Sequence, residues 1–325
     1  MTMAFLETAQ WNAAAVTPLA GDASARRYSR LERGGDTAIL MEDPEGDTAL
    51  FARLARHLSG LGLSAPRILA EAPGLLLLED LGDGLIARLS QDVKAELPLY
   101  LCATDALVEL HRHAPPPGLV TATPDHLAQM TDLAFTCYAE NAGHPVAPRV
   151  VQQATDALRE ALSLYAPDAD VMILRDYHAE NILWLPERTG AARAGLLDFQ
   201  DALVGHRGYD LVSLIEDARR DVSAITAEAV IHHYLDATGL DEMPFRIALA
   251  VLGAQRNLRI LGVFARLARA RGKPGYIDLI PRVWGHLMHD LSFPALREVS
   301  DILSHALPAP DHAILQRLKA PCQTP

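Results

Sequence analysis

Two acidic residues and one amide in this chain could together support phosphoryl transfer from a nucleotide. They are Asp176, Asn181 and Asp198. In such a reaction one carboxylate orients the attacking hydroxyl and takes its proton, while an amide oxygen and a second carboxylate hold magnesium against the phosphates. Magnesium keeps several of its waters, so one carboxylate and one amide suffice as protein ligands. The set therefore predicts a phosphotransfer site.

The elements around this set are predicted to bring its members together. An apolar run over 171–174 leads directly into the loop that carries Asp176. Two further apolar runs, 182–185 and 194–197, flank a polar turn and predict a β-hairpin. Because antiparallel strands return the chain to its starting edge, Asn181 and Asp198 are expected at the same end of the hairpin.

Other polar residues near the set receive simpler interpretations. Asp210 stands at the start of an apolar helical run, and N-capping of that helix is expected to explain it. His178 is expected to be a solvated loop residue, because no second His or Cys stands at metal-binding spacing.

The rest of the chain divides into a strand-rich beginning and a helical remainder. Strands are predicted at 16–19, 26–31, 37–41, 68–70 and 75–78, with a helix at 47–61. Residues 79–84 are predicted to form a hinge. Helices are expected at 91–113, 125–141, 147–165, 208–220, 224–237, 243–271 and 278–305. The segment from Pro308 onward is expected to be partly loose.

Composition excludes several classes of function. The 325 residues carry a formal net charge of −12, which argues against nucleic-acid binding as the main function. Three scattered cysteines indicate reduced thiols and a cytoplasmic location. We expect neither a signal peptide nor a membrane span, since even the apolar run over 247–263 is interrupted by arginines. The oligomeric state is not predicted.

Several stretches resemble the aminoglycoside phosphotransferase and choline kinase-like branch of the protein kinase fold. The resemblance begins with Arg175-Asp176-Tyr177 followed by Asn181, and with the run 196–201, which reads Leu-Leu-Asp-Phe-Gln-Asp. It is closer to one subgroup, the bacterial N-acetylmuramate/N-acetylglucosamine anomeric sugar kinases. The stretches that resemble this subgroup are 21–28, 77–82, 253–266 and 272–276.

The resemblance implies an α+β, two-lobed protein-kinase-like fold. A small β-rich nucleotide-binding lobe would span residues 1–80, and a larger, mainly helical catalytic and substrate-binding lobe would span 81–325. The cofactors implied are ATP and Mg²⁺, and the reaction is transfer of the γ-phosphoryl group to the C1 hydroxyl of an amino sugar, in cell-wall recycling. Asp176 would be the base, with Asn181 and Asp198 as metal ligands. The expected nucleotide-binding residues are Ser24, Arg26, Arg27, Glu79 and Leu81.

Two departures from the family pattern matter. Leu174 stands where many relatives carry a histidine, which would support the loop by hydrogen bonding. The third strand has no lysine, although kinases usually pair a lysine there with a helix glutamate. We hypothesise that Arg26 or Arg27 supplies the missing positive charge, because a guanidinium fork suits phosphate oxygens.

The acceptor site is predicted from four residues. Gln200 and Asp201 directly follow the expected metal ligand and would project toward the acceptor. Arg256 and Arg259 lie on an otherwise apolar helix and need partners. A structural ion pair and contact with a sugar or its lactyl carboxylate are equally good explanations for these arginines.

Alternative functions remain open at this point. The acceptor could be an aminoglycoside, choline or another small alcohol. Choline favours an aromatic cage, and only 6% of residues are aromatic, while a polycationic aminoglycoside would be repelled by Arg256 and Arg259. A nucleotide-binding pseudokinase is suggested by Leu174 and the missing lysine. The intact acid–amide–acid set opposes it.

Overall fold

The computed structural model describes residues 2–19 and 26–320. Within it the chain forms two compact units. The first unit holds Met1–Pro117 and Asp176–Ala202, and the second holds Gly118–Arg175 and Leu203–Pro325. The predicted lobe boundary at residue 80 is a different division of the chain and stays a prediction. The mixture of antiparallel strands and helices confirms the predicted α+β class.

The strands are short, and all their pairings are antiparallel. They are β1 (Ala15–Pro18), β2 (Arg27–Arg33), β3 (Asp36–Glu42), β4 (Ile68–Ala72), β5 (Leu75–Glu79), β6 (Val171–Ile173), β7 (Ile182–Trp184), β8 (Ala194–Leu196) and β9 (Leu203–Gly205). In the first unit, a five-stranded sheet has the order β1-β2-β3-β5-β4, and β7 and β8 form the predicted hairpin. In the second unit, β6 pairs with β9, a pairing that the sequence analysis missed.

The helices account for most of the remaining chain. They are α1 (Thr2–Thr8), α2 (Thr48–Gly60), α3 (Ile86–Leu89), α4 (Val93–Leu110), α5 (Pro124–Gln129), α6 (Pro148–Tyr165), α7 (Gly208–Ile215), α8 (Ala224–Thr238), α9 (Glu242–Arg271), α10 (Ile280–Asp290), α11 (Arg297–Ala306) and α12 (His312–Lys319). A π-helical segment, Ala134–Ala139, follows α5.

The sheet of the first unit has its own apolar core. Alternate residues of a strand point to the same face, and Leu31, Ala38 and Leu77 of neighbouring strands meet there. Phe5 and Leu6 of α1 pack against them. Helix α2 carries Phe51, whose ring centroid lies 4.8 Å from that of Phe199, the residue after Asp198. This ring contact, separate from the cluster on the sheet, joins α2 to the segment that carries the predicted metal ligand.

Helix α9 is the central element of the second unit. It contacts α6, α7, α10 and the π-helical segment. Gly262 permits the last of these contacts, because a Cβ there would lie 2.2 Å from the carbonyl carbon of Leu133. The helix is long and apolar enough to cross a membrane by composition alone, but 78% of its most apolar window is buried inside the protein. Such burial is typical of a core helix.

Two predictions about the helices are wrong. The helix expected over 278–305 ends at Asp290 and resumes at Arg297, because Pro294 lacks the N–H that a continuous helix would need. The helix expected over 125–141 is split into α5 and the π-helical segment. Part of the segment after Pro308, which the sequence predicts to be partly loose, forms α12, and Asp311 caps this helix by accepting a hydrogen bond from the Ile314 amide at 2.8 Å.

Candidate active site

The β7–β8 hairpin places Asn181 and Asp198 at one end. Ile182 pairs with Leu196, and the amide of Leu197 donates to the carbonyl of Asn181 at 3.0 Å. The side chain of Asn181 reaches the Asp176 backbone, since its Nδ2 donates to the Asp176 carbonyl at 2.9 Å. All three residues of the acid–amide–acid set belong to the first unit. The structure therefore brings the set together through its backbone and the Asn181 amide.

The hydrogen bond from Asn181 also orients its amide. An amide offers an oxygen acceptor on one side and an NH₂ donor on the other. Because Nδ2 faces the Asp176 carbonyl, Oδ1 points the opposite way, and oxygen is the atom that magnesium binds. His178 lies beside this amide, with Nε2 3.4 Å from Nδ2. It is buried, so the expectation of a solvated loop histidine is wrong.

Asp198 sits in a strained backbone conformation and is held by two side chains. Its φ is +57°, and Arg175, beside Asp176, has a φ of +72°. Such angles cost about 1–3 kcal/mol for non-glycine residues and concentrate at active sites. Oδ1 of Asp198 accepts hydrogen bonds from Gln200 Nε2 at 2.8 Å and Arg26 Nη1 at 3.1 Å. Its side chain is still 43% exposed, so a ligand can reach it.

The two candidate arginines of the nucleotide site lie in different environments. The Arg26 side chain is only 15% exposed and links Asp198 to Asp43, with Nε 3.2 Å from Asp43 Oδ2. The Arg27 side chain is 73% exposed, and its nearest acid is Glu42 at 3.7 Å. Arg26 therefore lies beside the predicted metal ligand, while Arg27 lies on the surface. Ser24 is outside the described residues.

The set fits a magnesium ion. Among the described residues, no group of three His, Cys, Asp or Glu side chains is arranged to hold a metal. Magnesium does not need one, because it takes a few hard oxygens and completes its shell with water and phosphate. Asp198 offers an accessible carboxylate, and Asn181 offers an amide oxygen at the same hairpin end.

The predicted hinge is fixed by ionic contacts. Glu79 accepts a hydrogen bond from Arg188 Nη2 at 2.9 Å and lies 3.2 Å from Arg67 Nε. Arg30 donates to Asp80 at 3.1 Å and to Asp83 at 2.9 Å. The Glu79 carboxylate is thus engaged with arginines, so a nucleotide contact here would use the backbone around Glu79 and the half-buried Leu81.

Asp210 has a role that the sequence analysis missed. It lies within α7, after its start, and makes no N-cap, so the capping interpretation is wrong. Its fully buried carboxylate accepts hydrogen bonds from the amides of Leu174 at 2.6 Å and Arg175 at 2.8 Å. It therefore holds the backbone directly before Asp176. The available signal was an acid inside an apolar helix, which must find partners elsewhere.

The predicted acceptor residues fall into both units. In the first, Gln200 is bonded to Asp198, and Asp201 is exposed, 3.4 Å from Gln200 Nε2. In the second, Arg256 is buried and donates to the Ser213 hydroxyl at 2.8 Å, and Arg259 is half-buried. Their role in acceptor binding stays a prediction.

A pair of buried acids lies close to Arg256. Asn257 Nδ2 donates to Glu216 at 2.7 Å and to Asp290 at 3.1 Å, and the two carboxyls are also hydrogen-bonded to each other. Burial raises the pKa of both carboxyls, and the charge of Glu216 raises the pKa of Asp290 further. The pair therefore retains a proton at pH values where exposed carboxyls are ionised.

Comparison with known proteins identifies the family of the chain. The model of the phosphotransferase enzyme family matches residues 15–246. The N-acetylmuramate/N-acetylglucosamine kinase of Caulobacter vibrioides is 40% identical, with 86% of this chain and 89% of that protein covered. The kinase of the same name from Pseudomonas aeruginosa is 29% identical, with 90% and 88% covered.

Solved structures at low sequence identity share the fold. A choline/ethanolamine kinase family protein from Mesorhizobium loti has a TM-score of 0.62 at 16% identity, over 98% of this chain and 99% of that one. A macrolide 2'-phosphotransferase from Brachybacterium faecium has a TM-score of 0.56 at 15% identity, over 86% and 96%. The family match and the 40% identical relative show that the chain belongs to the phosphotransferase enzyme family.

Proposed function

We propose that this protein is an ATP- and magnesium-dependent kinase that phosphorylates the C1 hydroxyl of N-acetylmuramate or N-acetylglucosamine. The sugar substrate is supported by the names of the two relatives, which align over most of the chain. The C1 position follows from the resemblance to the anomeric sugar kinases. A cytoplasmic role in cell-wall sugar recycling would suit such a product.

The observation that carries the proposal is the environment of Asp198. One accessible carboxylate lies beside an arginine, a glutamine and the Asn181 end of the hairpin. Asn181 and Asp198 would hold magnesium, which supplies charge neutralisation on the nucleotide phosphates. Arg26 would add a second positive charge near those phosphates, where the third strand offers no lysine.

The remaining steps belong to residues of this chain. Asp176 would accept the proton of the sugar hydroxyl as the phosphoryl group moves, because it is an exposed carboxylate on the same loop as Asn181. The backbone at 79–81 would contact adenine. Gln200 would orient Asp198 and, with Asp201, border the acceptor, and Arg259 remains a predicted contact for an anionic sugar.

An acceptor panel tests the proposal. ATP consumption is measured with purified protein and magnesium, using N-acetylmuramate, N-acetylglucosamine, choline, an amino alcohol and an aminoglycoside. We expect turnover with the two amino sugars well above the acceptor-free rate. Turnover only with choline, the amino alcohol or the aminoglycoside would replace the proposed substrate. Nucleotide binding without turnover on any acceptor would favour the pseudokinase alternative.

A further inference from the structure

The backbone before Asp176 is held by three hydrogen bonds from two side chains of α7. Asp210 accepts the amide hydrogens of Leu174 and Arg175, at 2.6 and 2.8 Å. Ser213, one turn further along the same helix face, donates its hydroxyl hydrogen to the Arg175 carbonyl at 3.1 Å. That carbonyl lies in the peptide plane shared by Arg175 and Asp176. Its orientation therefore sets the direction in which Asp176 leaves the loop.

Arg256 of α9 fixes the polarity of the Ser213 hydroxyl. Its Nη2 lies 2.8 Å from Ser213 Oγ, and the side chain is only 6% exposed. A guanidinium can donate but cannot accept, while a hydroxyl has one hydrogen to give. With Arg256 donating to Oγ, the single hydrogen of Ser213 is directed to the Arg175 carbonyl. Arg256, Ser213 and the Arg175 carbonyl thus form a hydrogen-bond relay in which each donor and acceptor role is fixed.

This relay acts on Arg175, a residue with a strained backbone conformation. Arg175 has a φ of +72°, a conformation that surrounding contacts must hold in place for a non-glycine residue. The preceding residue, Leu174, has an aliphatic side chain and cannot donate a hydrogen bond to the loop. Asp210 holds the amide side of the strained residue. The carbonyl of Arg175 accepts from Ser213, whose hydroxyl oxygen in turn accepts from Arg256.

We infer that Arg256 is a positioning residue for Asp176 and acts through Ser213 rather than by contacting the sugar. A second donor contact supports this assignment, because Nη1 of Arg256 lies 3.3 Å from the Glu216 carbonyl at the end of α7. The planar fork thus reaches two groups of one helix at once. A lysine, which presents a point charge, would reproduce only part of this arrangement. The inference rests on the proposed function.

The test compares Arg256→Met and Ser213→Ala with the wild type, using Arg266→Met as the matched control. Arg266 is exposed on the same helix. We expect Arg256→Met and Ser213→Ala to lower kcat about tenfold to a hundredfold, a range typical of small misplacements of a reacting group. KM for the sugar and for ATP should stay within about twofold, since neither residue touches a substrate in this account. The control should leave both constants unchanged.

Two further readouts separate positioning from general support of the fold. The double variant Arg256→Met/Ser213→Ala should lose little more kcat than either single variant, because both break the same relay. Arg256→Lys should recover part of the lost kcat. If Arg256→Met does not fold, Ser213→Ala, which removes one hydroxyl oxygen, decides the question through the same separation of kcat from KM.

Several outcomes would overturn the inference. A raised KM for the sugar with unchanged kcat in Arg256→Met would make Arg256 a substrate contact. Additive losses of kcat in the double variant, or a wild-type kcat in Ser213→Ala, would contradict the inference that Arg256 acts through Ser213. Failure of the proposed function is distinguishable, because the wild type itself would then not phosphorylate amino sugars. In that case the same variants would be compared on the acceptor that the wild type does phosphorylate, or on its basal ATP hydrolysis. An unchanged rate in that assay would also contradict the inference.

Discussion

Two aspartates of this chain, Asp198 and Asp210, occupy opposite environments. The Asp198 side chain is 43% exposed and is held by the side chains of Arg26 and Gln200. Asp210 is fully buried and accepts hydrogen bonds from two backbone amides. The first arrangement suits an acid that must meet a ligand, and the second suits an acid that fixes the chain. The comparison shows that an acid's role here follows from its partners and exposure.

The largest expected effect concerns Asp176, which is exposed like Asp198 and is expected to meet a ligand. Asp176→Asn should lower turnover by about a hundredfold to ten-thousandfold, the usual loss when a general base is removed. Because Asp176 is exposed, the free energy of unfolding should change little. Steady-state kinetics and thermal denaturation measure the two quantities, and ATP binding by calorimetry serves as the control. Full activity in this variant would remove Asp176 from the mechanism.

A smaller effect separates two adjacent arginines. Arg26→Ala should raise KM for ATP about tenfold to a hundredfold, since charged hydrogen bonds contribute about 1.5–3 kcal/mol each. Arg27→Ala is the matched control, because its side chain is 73% exposed and should shift KM less than about twofold. Initial rates at varied ATP measure both. Equal effects, or a larger effect at Arg27, would contradict the assignment of Arg26 to the nucleotide site.

The smallest effect concerns the buried acid pair. Burial raises the pKa of Asp290 and Glu216 in the folded protein, so the folded state binds more protons than the unfolded state above the ordinary carboxyl pKa of about 4. The contribution of this pair to the free energy of unfolding therefore falls as pH rises through the neutral range. Asp290→Asn removes one of these sites and should reduce the slope by about 1 kcal/mol per pH unit, the contribution of one retained proton.

Urea denaturation from pH 5 to pH 9 measures this slope for the wild type and Asp290→Asn. Asp301→Asn, at an exposed position of α11, is the control and should keep the wild-type slope. Parallel curves for Asp290→Asn and the wild type would mean that the pair does not hold its proton in the folded protein.

The sequence predicted the proximity of Asn181 and Asp198 better than it predicted the role of the buried Asp210. Asn181 and Asp198 stand at the ends of a hairpin whose pattern is local, so their proximity follows from antiparallel pairing. Asp210 was misread because its partners, the amides of Leu174 and Arg175, lie far away in sequence. Local patterns predict caps and turns, but they carry no information about which distant backbone a side chain will reach.

Two other features were not predicted from the sequence, and each has a specific cause. Successive residues near a strand alternate between its faces, so the sequence could offer Arg26 or Arg27 but could not say which one faces Asp198. The long helix expected over 278–305 followed apolar periodicity past Pro294, where the missing N–H divides it into α10 and α11. The choice between the two arginines required the tertiary structure, whereas Pro294 was a local signal already present in the sequence.

The phosphorus NMR spectrum of the product made from ATP and N-acetylmuramate or N-acetylglucosamine tests the central claim most directly. The account predicts a sugar phosphate whose phosphorus couples to the anomeric proton, formed with loss of the γ-phosphate signal of ATP and absent when the Asp176→Asn protein is used. A phosphate ester at another hydroxyl would contradict transfer to C1. Release of inorganic phosphate alone would contradict the kinase itself.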